Sequence, residues 1–316
     1  MSDRHSRKLD QAARAAWLYY IAGNTQDEVA AKLNVSRQAA QRMVSLAVAE
    51  KLIKFRLNHP IAEAVALEER LRERYGLTQC TVMPVDPGQP NPIPGIAIAA
   101  AEQIETYLES REPTVLGLST GRTLRAAVAE VMTMNRPEHK TVSLVGAMLR
   151  DGRAAPYEVV MSLAERTGAS GFPLPTPSVT EAVEEAQVLR AQRSYTRILE
   201  LVAQTAACFV GVGSIAWNSA FHHDGFVNDA ELMELIDLGG VGEIAGRVFN
   251  NVGEPLHGAV NDRMVGVPLP ILKDCNTIIV GGGDQKVMAI RAALRGTLAK
   301  GLITDERTAA AILSLG

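Results

Sequence analysis

No stretch of this 316-residue sequence stays apolar for the roughly 18 residues that a membrane-crossing helix requires. The nearest approach, around residues 199–217, is interrupted by Gln204 and Thr205. Residues 1–11 are polar and charged and open no secretory hydrophobic region. Cysteine is scarce: Cys80, Cys208 and Cys275 lie far apart and are odd in number. They fit a reducing compartment and form neither a disulfide framework nor a CxxC metal site. HExxH and Walker sequences are missing, as is any repeat of 20–50 residues. A cytoplasmic protein is expected, with no membrane partner, no metal, no cofactor and no catalytic set. What is present is a chain that can bury a core, with 47% hydrophobic and 21% charged residues. Its length suggests about two domains.

Charge divides those domains. Residues 1–59 carry ten Lys/Arg against five Asp/Glu, a net of +5. The remainder carries 22 against 30, a net of −8. A small basic head on a larger acidic body is the balance expected when only the head meets a polyanion. The predicted organisation is a head at 1–59 and a second domain at 60–316, with His59-Pro60 as the break between them.

The head reads as a helix-turn-helix. Residues 9–21 are apolar-rich (Ala12, Ala16, Trp17, Tyr20) and end at Gly23-Asn24. Thr25-Gln26-Asp27-Glu28 is a capping box opening a short helix that ends near Leu33. Asn34 tolerates the left-handed backbone of a sharp turn, Val35 plugs the angle, and Ser36 caps a third helix. In that helix Ala40, Met43, Val44, Ala47 and Val48 form one apolar stripe, which Leu46 does not fit. Gln38, Gln41, Arg42 and Ser45 fall on the opposite side within about 100° of arc. Gln pairs bidentately with adenine and Arg with guanine in a major groove, while Arg37 is placed for phosphate. The set expected at a DNA duplex is Thr25, Gln26, Ser36, Arg37, Gln38, Gln41, Arg42 and Ser45. Residues 52–57 alternate apolar and basic and read as a strand, a wing whose Lys54 and Arg56 would touch the backbone.

The body reads as α/β with a mostly parallel sheet. A helix at 61–75 stops at Gly76, and short apolar runs then end in glycine loops. Such runs are 114–118 before Ser119-Thr120-Gly121-Arg122-Thr123, 141–145 before Gly146, 208–212 before Gly213, and 277–280 before Gly281-Gly282-Gly283. Residues 171–178, with three prolines, read as a loop, and 180–206 as one long helical run burying Val183, Val188, Leu189 and Ile198. Ligands of such sheets bind at the carboxyl ends of the strands, where these loops fall.

The hydroxyls and amides of 119–123 suit an anion, with Arg122 adding charge. Gly281-Gly282-Gly283 lets backbone approach a ligand, with Lys286 one turn on. Gly211-Val212-Gly213-Ser214-Ile215-Ala216 matches a dinucleotide fingerprint, but residues 217–224 do not read as a helix packed behind the loop. His222, His223 and Asp224 are adjacent, a spacing that rarely converges on one metal ion.

These residues resemble the SorC/DeoR-like bacterial transcriptional regulators over nearly the full length. In the head the likeness lies in Leu18-Tyr19-Tyr20, Gly23-Asn24-Thr25-Gln26, Ala30 and Val35-Ser36-Arg37. In the body it lies in Gly117-Leu118-Ser119-Thr120-Gly121-Arg122-Thr123-Leu124, Val241-Gly242-Glu243-Ile244-Ala245-Gly246-Arg247-Val248-Phe249, Val280-Gly281-Gly282-Gly283-Asp284-Gln285-Lys286 and Leu302-Ile303-Thr304-Asp305-Glu306. The resemblance implies a sugar-binding domain related to phosphosugar isomerases, a homodimer or homotetramer, operator DNA as partner, and a sugar, polyol or sugar-phosphate effector. It implies that 119–123 forms the phosphate or hydroxyl cradle and that Glu243 and Lys286 are its polar walls. With Gly146 and Gly282 these make the expected effector set. Thr120 stands where many members carry Trp, and Gly146-Ala147 where others have a more polar or glycine-rich loop, so the effector and its phosphorylation stay open.

The expected function is control of a carbohydrate or sugar-alcohol catabolic operon by a non-enzyme. The alternative is a phosphosugar isomerase, deaminase or aldolase, in which Lys286 forms a Schiff base and Glu243 serves as acid or base.

Overall fold

The computed structural model describes residues 3–55, 61–86, 88, 91–149, 151–154 and 158–315. The chain divides into two compact units, Met1–His59 and Pro60–Gly316. In the first, α1 (Asp3–Ala16) runs into a π-helical stretch, Trp17–Ile21, followed by α2 (Gln26–Leu33) and α3 (Arg37–Ala49). Ala12, Ala15 and Ala16 of α1 and Ala40 and Ala47 of α3 are buried. Side chains this small let the two helices approach closely. The capping box forms: the Thr25 hydroxyl accepts the Glu28 amide, and the Glu28 carboxylate accepts the Thr25 amide at 2.8 Å. Asn34 turns the chain at φ 53°, and Ser36 caps α3 by accepting the Ala39 amide.

Three details of the head differ from the sequence pattern. Leu46 packs with Ile53 against Ala12, Ala16 and Ala47, so the buried face of α3 is wider than one stripe. Val48 lies outside it and is exposed, as is Trp17, which stands one 100° step past Ala16. Leu52 to Phe55 forms no strand: the chain turns at Lys51 (φ 54°), and Phe55 stacks edge-on against Tyr20 with ring centroids 4.7 Å apart. Arg56 and Leu57 of that expected wing, and the His59-Pro60 break, lie outside the described residues.

The second unit opens with α4 (Ala62–Tyr75), stopped by Gly76 at φ 65°. It continues through β1 (Gln79–Met83), α5 (Ile93–Leu108), β2 (Val115–Leu118), α6 (Arg122–Glu130) and β3 (Lys140–Met148). Next come α7 (Val160–Thr167), β4 (Ser170–Pro177), α8 (Val183–Arg190), α9 (Arg193–Val202) and β5 (Ala207–Val210). A smaller lobe holds β6 (Gly213–Ser214), α10 (Ala220–His223), α11 (Asp229–Asp237), β7 (Gly242–Ile244) and β8 (Arg247–Phe249). The chain ends with α12 (Leu269–Asp274), β9 (Thr277–Val280), α13 (Val287–Arg295), β10 (Gly301–Asp305) and α14 (Glu306–Ser314).

Seven strands form one parallel sheet in the order β1-β10-β9-β5-β2-β3-β4, as the strand–loop–helix pattern predicts. Its inner strands β2, β5, β9 and β10 are buried on both faces. Phe209, Ile278, Val280 and Ile303 pack on α5, α6 and α7, while Cys208, Val210, Ile279 and Leu302 pack on the opposite layer with α4, α9, α13 and α14. That alternation is the period of two of a strand covered on both sides. From β2 the chain adds β3 and β4 on one side and β5, β9 and β10 on the other. The order therefore reverses between β2 and β5, where ligands of open α/β sheets bind. The lobe carries the antiparallel sheet β6-β7-β8 and its own core around Phe221, Phe226, Leu232 and Val248.

Two stretches correct the sequence reading. Residues 171–178 are no loop but most of edge strand β4. Pro173, Pro175 and Pro177 alternate, so their missing amides fall on the free edge, while Ser170 and Ser178 donate to the His139 and Met148 carbonyls on the β3 side. The run 180–206 is two helices broken at Ala191-Gln192, and Val188 is 60% exposed rather than buried.

Candidate functional site

A cavity of about 280 Å³ lies at the carboxyl ends of β2, β5 and β9. Its floor is tied together by Ser119, which is buried: its amide donates to the Phe209 carbonyl at 3.0 Å, and its hydroxyl accepts the Gly211 amide at 2.9 Å. One side chain thus fixes the loops that follow β2 and β5. Helix α6 then starts without a side-chain cap, after Gly121 at φ 140°, ψ 158°. Only glycine adopts that conformation at low cost. The uncapped first-turn amides of α6 give the cavity a positive pole.

Glu243 enters from β7. The hairpin to β8 turns through Ala245 (φ 52°) and Gly246 (φ 79°), and the Gly246 amide donates to Glu243 Oε2 at 2.9 Å. Gly213 pairs with Glu243 across β6–β7, and a Cβ there would collide with the carboxylate. Burial pushes the Glu243 carboxyl above its ordinary range, against the opposing pull of the Gly246 amide, Lys286 and the Gly213 amide. Lys286 closes the 3₁₀ turn Asp284–Lys286 and is half-buried at the cavity wall. Burial lowers its pKa, with Glu243 opposing and Arg122 adding to the fall. Arg122 Nη2 lies 3.9 Å from Asp224 Oδ2. Two cations and two carboxylates therefore share one small chamber.

Ser119, Thr120, Gly121, Arg122, Thr123, Glu243, Gly282 and Lys286 all line the cavity. Gly282 also answers a packing need, since a Cβ there would collide with the Asp305 carboxylate. Gly146 does not line it. Strand β3 runs through that glycine to Met148, and its missing side chain makes room for the Pro177 backbone, 2.6 Å from where a Cβ would sit. Val145 lines the cavity in its place.

The sequence did not point to Asn91, Asn218, Ser219, Phe221 or Phe226, which also line it. These come from a loop before α5 and from the lobe, segments with no periodicity to mark them. Of the adjacent residues weighed as metal ligands, Asp224 faces the cavity, while His222 Nε2 lies 2.7 Å from Asp229 and His223 is exposed. Among the described residues no group of three His, Cys, Asp or Glu side chains could hold a metal. The fingerprint at 211–216 leads into β6 rather than a helix.

In the head, Gln38, Gln41, Arg42 and Ser45 are all exposed along α3. Thr25 and Ser36 serve as caps, Gln26 is half-buried, and Arg37 Nε lies 3.5 Å from Asp27 Oδ1. Among the described residues no helix is long and apolar enough to cross a membrane.

A helix-turn-helix head with an exposed Gln/Arg row and an α/β unit with a polar chamber at its switch point define a ligand-responsive DNA-binding regulator. The family described as "Putative sugar-binding domain" matches residues 59–314. The chain is 34% identical over 302 residues to the erythritol catabolism regulatory protein EryD of Brucella abortus (strain 2308), covering 96% of each. It is 28% identical over 318 residues to the deoxyribonucleoside regulator of Bacillus subtilis (strain 168), covering 99% of each. The full-length sorbitol operon regulator SorC of Klebsiella pneumoniae shares its fold, with a TM-score of 0.71 at 20% identity over 96% of this chain and 99% of that one. The chain belongs to the SorC/DeoR-type family of sugar-responsive transcriptional regulators.

Proposed function

We propose that this regulator controls a carbohydrate or sugar-alcohol catabolic operon and that its cavity takes a small polyol, sugar or sugar phosphate. The observation that carries this reading is the chamber at the β2/β5 switch point: about 280 Å³, with Glu243 and Asp224 to accept from ligand hydroxyls and Arg122 and Lys286 to balance them. A volume at the small end for ligand sites suits a short molecule. The relative named for erythritol catabolism favours a short sugar alcohol. Arg122, Lys286 and the α6 amides would equally receive a phosphate.

In this reading residues 1–59 bind DNA and residues 60–316 bind the effector and assemble a homodimer or homotetramer. Gln38, Gln41, Arg42 and Ser45 read base edges, with Thr25, Gln26, Ser36 and Arg37 toward the phosphates. A pair of heads fits two half-sites, and occupancy of the cavity changes that fit. Lys286 and Glu243 bind the effector and do not turn it over, which sets a cytoplasmic receptor against a phosphosugar enzyme.

A thermal-shift screen of tetritols, pentitols, hexitols and their phosphates tests this directly. A raised melting temperature with unchanged ligand, followed by a ligand-dependent gel shift on operator DNA, is the expected result. Turnover of a phosphosugar would favour the enzyme.

A further inference from the structure

Ser219 is 5% exposed and walls the cavity, yet its hydroxyl has no hydrogen-bond partner among the described residues. It stands just before α10, where a serine would ordinarily cap, but its side chain accepts nothing from that helix. Its main chain is engaged: the Ser219 amide donates to the Ala216 carbonyl at 3.1 Å, and its carbonyl accepts the His223 amide at 2.9 Å. The hydroxyl is therefore taken out of water with no structural duty in return, the opposite of Ser119, whose hydroxyl holds the Gly211 amide. A buried polar group left unmatched is costly and calls for an explanation. Phe221 and Phe226, stacked with centroids 5.6 Å apart, also line the chamber and offer an apolar surface to carbon–hydrogen groups.

We propose that Ser219 reads one hydroxyl of the effector, acting as a specificity residue for hydroxylated ligands over their deoxy analogues. This rests on the reading of the cavity as a polyol or sugar site. A hydroxyl partner both donates and accepts, so it can satisfy Ser219 whichever way its proton points. A deoxy ligand would leave Ser219 buried and unmatched, and a site built to meet a hydroxyl rejects such a ligand strongly.

The test is calorimetric titration of wild type and Ser219→Ala with erythritol and with 1,2,4- and 1,2,3-butanetriol, which lack one inner or one terminal hydroxyl; xylitol is compared with its monodeoxy forms in the same way. Wild type is expected to prefer the full polyol over one of its deoxy analogues by about tenfold. Ser219→Ala is expected to lose that preference. Without ligand, the variant should melt at or above the wild-type temperature, because no cap or internal bond is lost. Retained discrimination in Ser219→Ala, or a fall of several degrees in its ligand-free melting temperature, would overturn the role of Ser219 alone. Wild-type protein that binds none of erythritol, xylitol, sorbitol or their phosphates would overturn the reading of the cavity, and the role of Ser219 with it.

Discussion

The Ser119 hydroxyl accepts the Gly211 amide at 2.9 Å, joining the ends of the two parallel strands between which the strand order reverses. Ser119→Ala leaves that amide without its partner in a part-buried place. Losing a bond of this kind costs about 1–3 kcal/mol. In a unit of roughly 250 residues each kcal/mol lowers the melting temperature by about 2–4 °C. Calorimetry should therefore find the second unit several degrees less stable, with effector affinity lowered as well because both loops line the cavity. An unchanged transition would show that the two strand ends are held by other means.

Stability should depend on pH through the cavity charges. Burial raises the Glu243 pKa, so the folded value lies above the unfolded one. Its contribution is then fully present below the ordinary carboxylate range, near 4, and is lost as pH rises through the folded value. Lys286 is shifted downward, so its contribution is present above the ordinary lysine range and lost as pH falls through its folded value. Glu243→Gln cannot titrate. It gives up one acceptor oxygen and with it a hydrogen bond, a loss that does not vary with pH. The melting-temperature difference, variant minus wild type, should therefore move upward between about pH 4 and neutrality. A ligand-free series that gives a constant difference would contradict a desolvated carboxylate at this position.

Local chemistry was legible in the sequence and distant pairing was not. Thr25, Glu28, Asn34 and Ser36 act on neighbours within four residues, so their types and spacing specify the turn directly. Strand ends at Leu118 and Val280 announce themselves by an apolar run meeting a short loop that carries glycine, Ser119-Thr120-Gly121 in one case and Gly281-Gly282-Gly283 in the other. Prolines at 173, 175 and 177 read as a loop because nothing local says that this strand lies at an edge, where missing amides go unnoticed. Gly146 reads as a loop glycine for a related reason: the backbone that excludes a side chain there belongs to Pro177, thirty-one positions away. Ser219 and Phe226 reach the cavity as part of a lobe whose fold depends on pairing between β6 and β7. The head and the two glycine loops were readable for the same reason that the lobe was hidden: contact order.

The cysteines should differ in reactivity. Cys275 is half-buried, and its thiol donates to the Val202 carbonyl at 3.6 Å. The hydrogen bond from Cys208 stabilises its thiolate and, with Thr205 and Lys300, brings its pKa down to about 6. Cys80 is pushed up to about 12 by burial and by Glu68. The thiolate is the nucleophile, so at neutral pH iodoacetamide should label Cys275 well before Cys80. Peptide mass spectrometry of a labelling time course reads the order directly, and equal rates or the reverse order would contradict it.

Arg37 and Arg42 should fail differently when removed. Arg42 is exposed on the row with Gln38 and Gln41, so Arg42→Ala should weaken operator binding by about 1–3 kcal/mol and relax preference at one base pair. Arg37 lies at the start of α3 beside Asp27, with both side chains about two-thirds exposed. An exposed pair of this kind is weak and gives way to a phosphate. Arg37→Ala should lower affinity for operator and random DNA alike and reduce the salt slope by about one. Asp27→Asn should do the reverse for random DNA, tightening it because Arg37 no longer has to leave a carboxylate and a repelling charge is gone. Gel shifts on both DNAs across a salt series separate the three variants. Equal losses on operator and random DNA for Arg42→Ala would remove that arginine from the base-reading set.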